Sequence, residues 1–135
     1  MRARTVAIGA GLVGGLGWMA KLVIMALQGG PDPASAPESA AFVVGLVGVL
    51  IGAAAAGTHL GRGRSVARRV LSAVAGVLAV GAVISLGQLL LSALPGESWV
   101  QEEAIFGIVG LLAVVVATAA VVRGNEEGRH PRRGG

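Results

Sequence analysis

Cysteine and tyrosine are absent from this 135-residue chain, and Phe and Trp contribute two residues each. Without Cys there is no disulfide, no thiol nucleophile and no thiolate-ligated zinc or iron–sulfur centre. Charged residues are only 13% of the total, and the net charge of +4 comes with just Trp18, Phe42, Phe106 and Trp99 to stack on bases. Nucleic acid is therefore not the partner that the basic balance points to. Histidine is confined to His59 and His130, both outside the middle of any apolar run. That leaves no bis-histidine haem and no His-rich metal centre, so no metal and no cofactor are expected.

What remains is a chain that is 54% hydrophobic and holds 23 glycines, a composition rarely found in a soluble domain. Apolar runs cover residues 40–60, 70–91 and 104–122, and residues 5–27 form a fourth that is interrupted only by Lys21. Each is long enough to cross about 30 Å of hydrocarbon, and none alternates with period two. Backbone polar groups in lipid must pair within the segment, so the expected class is all-α, a polytopic membrane protein folded as an antiparallel four-transmembrane-helix bundle. Residues 1–123 form its single domain, and the charged, Gly-rich residues 124–135 are expected to be a disordered basic tail.

Orientation follows from charge. Arg2, Arg4, Arg62, Arg64, Arg68, Arg69, Arg123, Arg129, Arg132 and Arg133 fall at one set of helix ends, and Asp32, Glu38, Glu97, Glu102 and Glu103 at the other. The positive-inside rule then places both termini and the middle loop in the cytoplasm. Ala34-Ser35-Ala36 has the form of a signal-peptide cleavage site, but Lys21, the length of the apolar run and the following Pro37 favour a retained first helix.

Gly9-Ala10-Gly11-Leu12-Val13-Gly14 matches the dinucleotide fingerprint, with Asp32 about where a ribose-binding acid is sought. The acid follows Gly29-Gly30-Pro31, which cannot end a strand, and the chain offers no alternation of strands and helices for a parallel sheet. No dinucleotide is expected; Gly11, Gly15, Gly48 and Gly52 are instead assigned to close helix packing.

Lys21 is the one formal charge within a span, about 7.5 Å outward of the helix midpoint. Snorkelling to the outer surface is its commonest solution. Against that, side chains tilt toward their helix N-terminus, which aims Lys21 deeper and favours a buried partner: Glu38, Glu102 or Glu103. Gln88 with Ser85 and Ser92 on helix three, and Trp18, Lys21, Met25 and Gln28 on helix one, form stripes at similar depth. The candidate intramembrane polar cluster is thus Lys21, Gln28, Ser85, Gln88, Glu102 and Glu103, an outward-facing pocket above an inner half closed by Gly, Ala and Val. Interhelical hydrogen-bond glue is the commoner use of such Ser and Gln residues. Trp18 and Trp99 are assigned as interface anchors. No Ser/His/Asp set converges, and the adjacent Glu102 and Glu103 point apart, so no catalytic residue is expected.

With Gly17-Trp18 and Lys21 in the first span, a Gly-Gly-Pro outer loop, an Arg-rich middle loop and a basic tail, the chain resembles small four-helix membrane proteins of high-GC actinobacteria. Gly17-Trp18-Met19-Ala20-Lys21-Leu22 also carries a fainter similarity to DoxX-like proteins. The resemblance implies a bacterial plasma (inner) membrane and no residue-level role. The reading that follows is a non-enzymatic integral membrane protein, a structural or accessory part of a larger membrane complex or a homo-oligomer. The alternative is a small transporter or channel using the pocket around Lys21.

Overall fold

The computed structural model describes residues 2–61, 63, 65–96 and 98–129, with the backbone alone for 98 and 124–129. It contains four helices: α1 (Arg2–Gln28), α2 (Ala36–Leu60), α3 (Val66–Leu91) and α4 (Ser98–Arg129). All four are long and apolar enough to cross a membrane, which for α4 applies to Trp99–Arg123. Large apolar side chains such as Val13, Leu27, Val43, Leu71, Leu86 and Val116 stand exposed on every helix, the surface of a bundle solvated by lipid rather than water. Helix starts and stops obey local chemistry. Gly29 (φ 80°) and Gly30 (φ 146°) take conformations closed to most side chains, and Gly30 N–H donates to Met25 O at 2.9 Å to end α1. Ser35 begins α2, its Oγ accepting from the Glu38 N–H at 3.4 Å.

α1 is the hub, packed against α2 and α4, while α3 leans on α2 and touches α4 lightly. The α1–α2 contact is backbone on backbone. A Cβ on Gly48 would stand 2.5 Å from Gly14 Cα, one on Gly17 would stand 2.7 Å from Gly45 N, and one on Gly52 would stand 3.1 Å from Gly11 N. Residue numbers rise along one helix as they fall along the other. A second glycine face does the same toward α4, where a Cβ on Gly15 would lie 2.5 Å from Gly110 O. Of the four glycines assigned to packing, Gly15 and Gly48 sit at the tightest approaches. Gly11 has only Ala117 Cβ within reach of its own missing Cβ, at 3.9 Å, and contributes mainly as the surface that Gly52 meets.

One expectation changes at this level. Residues 124–129, expected in a disordered tail, continue α4 to Arg129. Adding residues to an existing helix is far easier than nucleating one, so a polar, Gly-containing extension follows the span for nearly two turns. The rest of the tail lies outside the described residues, as do Arg62, Arg64 and Glu97 of the charge pattern. The stretch from Val6 to Gly14, whose fingerprint would need a strand and a tight turn, is uninterrupted helix inside α1.

Substitution at a contact glycine should be felt and elsewhere should not. Gly48→Ala is expected to lower stability by about 1–3 kcal/mol, the range for overpacking. Gly9→Ala and Gly81→Ala, with open space at the new Cβ, should lose nothing. Thermal unfolding of the three variants in detergent measures the difference.

Candidate functional site

Trp18, expected at the membrane interface, is instead fully buried. It lies near the middle of α1, where Gly45 of α2 leaves room for the indole, and it meets Phe106 edge-on with ring centroids 5.1 Å apart. With Val49, Ile105 and Val109 it forms the apolar core of the bundle. Anchoring at an interface needs a residue at a helix end; Trp99, half-buried in the first turn of α4, has that position.

One turn beyond Trp18 toward the C-terminus of α1 is Lys21, 6% exposed. Its Nζ lies 2.5 Å from Glu103 Oε2 on α4. The lysine does not snorkel. The tilt of its side chain toward the α1 N-terminus keeps the ammonium inside the bundle, where the Phe42 and Phe106 rings flank it at 4.9 and 5.5 Å from their centroids. Glu102 points outward and is exposed, as adjacent helical residues must diverge. Glu38 is also buried, and its Oε2 accepts from the Asp32 N–H at 2.9 Å, so it is tied to the loop that precedes α2. Lys21, Asp32, Glu38, Ser39, Phe42 and Glu103 line a pocket of about 360 Å³.

The rest of the expected polar cluster does not join it. Gln28 sits at the rim and donates to Ser35 Oγ at 2.8 Å, bracing the same loop. Ser85 is exposed and lines a separate apolar gap with Trp18 and Val49, and Gln88 is half-buried outside the Lys21 pocket. Ser92 Oγ donates to Leu89 O of its own helix at 2.8 Å. The cause is common to Ser85, Gln88 and the capping Ser92: α3 has no buried residue and stands off from α1. Its polar stripe therefore never reaches Lys21.

The half expected to lie on the inner side also departs from expectation. Gly, Ala and Val do not close it; their small side chains leave a cavity of about 500 Å³ walled by α1, α2 and α4. Arg4, His59, Leu60 and Ala120 line one end of it, and Val49 and Val109 the other. Arg4 Nη2 donates to Ala120 O at 2.8 Å, so the guanidinium ties α1 to the last turns of the α4 span. Val49 and Val109 of the core line this cavity, whereas Phe42 and Phe106, packed against that core, line the Lys21 pocket, and the two spaces share no lining residue. Among the described residues no group of three or more His, Cys, Asp or Glu converges as metal ligands would.

Sequence reasoning missed Phe42, Phe106 and the Ser35-Ala36-Pro37-Glu38 cap. The last has a visible signature, Ser followed three residues later by Glu before an apolar run. The phenylalanines carried no local signal, since only the packing of three helices brings them to Lys21. The chain matches no family model, no curated protein and no solved structure.

The ion pair should appear in a thermodynamic cycle. Lys21→Met and Glu103→Gln should each destabilise the protein in detergent, and the double variant should recover part of the loss, giving a coupling of about 1–3 kcal/mol. Glu102→Gln paired with Lys21→Met should show no coupling.

Proposed function

We propose that the protein is a non-enzymatic membrane protein of structural or accessory type, acting within a larger membrane complex or as a homo-oligomer. One observation carries this reading: the Lys21 pocket is backed by Phe42 and Phe106, which pack on the Trp18, Val49, Ile105 and Val109 core, it shares no lining residue with the larger cavity, and that cavity is lined almost wholly by apolar side chains. A transported ion or polar solute would lose its hydration there without replacement ligands. The Lys21–Glu103 pair then serves as an internal tie between α1 and α4, and buried ionic groups of this kind favour a single register over alternatives. The runner-up, a small transporter or channel, keeps one argument in its favour, the charged pocket that the same pair occupies.

The likeness to small four-helix membrane proteins of high-GC actinobacteria belongs to this reading, with a bacterial plasma membrane as the location. So does the antiparallel arrangement with both termini cytoplasmic, which the sequence of contacts along α1, α2 and α4 and the segregation of arginines from acids support. Cysteines placed at the exposed Ala34 and Gly96 are expected to react with an impermeant thiol reagent in intact cells, and one at Ser65 only after lysis. The reverse pattern would invert the topology.

The functional class is tested by purification in mild detergent with mass determination, alongside flux measurements in proteoliposomes. A stoichiometric membrane partner or a defined homo-oligomer, with no Lys21-dependent flux, is the expected result. A monomer that moves ions or protons, and stops doing so on Lys21→Met, would replace this reading with the transporter.

A further inference from the structure

We infer that the inner cavity is a binding site for one acyl chain of an anionic membrane lipid. Its body is apolar, and at about 500 Å³ it has the volume of a small-molecule site, within the usual range of about 300–1,000 Å³. Protein interiors hold few voids larger than a water molecule, and an apolar void stays dry while accepting apolar guests. A cavity of this size inside a bilayer therefore suits an apolar occupant, and lipid tails are the surrounding solvent.

The shape leaves a way in. Three helices wall the cavity, and α3 contributes only Val80. α3 and α4 meet farther along, where a Cβ on Gly87 would run into Ile105. The first half of α3 packs on α2 instead, Gly57 against Ser72 and Gly76 against Ala53. The side between that half of α3 and α4 is left open to the membrane. Exposed lining residues mark it, Ala56 and Val116, the latter 66% exposed. From His59 to Val49 the cavity follows ten residues of helix, about 15 Å at 1.5 Å per residue, which is the depth of one leaflet.

Charge selects the headgroup. The mouth carries Arg4, whose guanidinium keeps four N–H donors beyond the one given to Ala120 O, and His59 lines the same end. Arg68 and Arg69 begin α3 near the same end, where a Cβ on Gly61 at the end of α2 would lie 3.3 Å from Arg69 Cα. The opposite pocket holds Asp32, Glu38 and Glu103 against the single cation Lys21, which Glu103 already pairs, so its net negative charge would repel an anion. A chain whose tail lies against Val49 and Val109 and whose phosphate meets Arg4 satisfies both ends.

Native mass spectrometry of the detergent-purified full chain, titrated with phosphatidylglycerol or phosphatidylcholine, tests this. One phosphatidylglycerol should bind with saturation, with a preference over phosphatidylcholine of about fivefold or more that falls sharply in Arg4→Gln. Ala56→Phe and Val116→Trp, which fill the cavity from exposed positions, should abolish the bound copy. Unfolding temperatures of both variants identify any that fail to fold, and either one suffices. Graded binding of many lipids with no headgroup preference would overturn the proposal. So would unchanged binding in a folded cavity-filling variant, or a lipid-free dimer that those variants dissociate, which would give the cavity to a second copy of the chain.

Discussion

An ammonium group inside a membrane span has to have its charge answered within the protein, and the half of this bundle that holds the C-terminal end of α1 is arranged around that requirement. Lys21 is held by Glu103 from α4 and by two phenylalanine faces, one from α2 and one from α4. Three helices are thereby committed to one relative position. Polar atoms around them are satisfied locally: Glu38 holds Asp32, and Gln28 holds Ser35. The capped loop between α1 and α2 lends Asp32 and Pro33 to the pocket wall, and Phe42 and Phe106, packed on the Trp18 core, form its apolar side.

That arrangement depends on how near the backbones can come. α1 presents Gly14 and Gly17 to α2 and Gly15 to α4, so two neighbours approach it at distances that a Cβ would forbid. In lipid, where tails are as apolar as leucine, such close packing and interhelical polar contacts replace the hydrophobic drive of a soluble core. α3 makes fewer of these approaches and buries no residue. The same small side chains that permit contact in the α1–α2–α4 unit leave the space beneath Trp18 unfilled.

The helices were legible because lipid leaves the backbone few choices: long runs without period-two alternation can span only as helices. Lys21 was legible as the residue to watch for the same reason, and the tilt of a helical side chain already argued against snorkelling. Choosing Glu103 over Glu102 was beyond the sequence, because the two differ only by a rotation of about 100° whose zero is set by how α4 packs on α1. Trp18 was misplaced because an aromatic near a lysine reads as an interface belt, and the room for it comes from Gly45 on another helix. Ser85 and Gln88 share a depth with Lys21, but depth along a helix does not fix which neighbour a face meets. The open half around the N-terminal end of α1 had no signal in composition, since Gly and Ala mark both close contact and empty space.

Lys21 is the sole lysine of the chain, so a lysine ¹⁵Nζ label gives one resonance. Solid-state NMR in lipid bilayers can measure the dipolar coupling of that nitrogen to ¹³C-labelled glutamate carboxyl carbons and to lipid phosphorus. With Nζ 2.5 Å from Glu103 Oε2, strong coupling to a carboxyl carbon is expected, lost in Glu103→Gln, with none to phosphorus. Coupling to lipid phosphorus with no carboxylate contact would put Lys21 at the headgroups and contradict the buried ion pair around which the bundle is arranged.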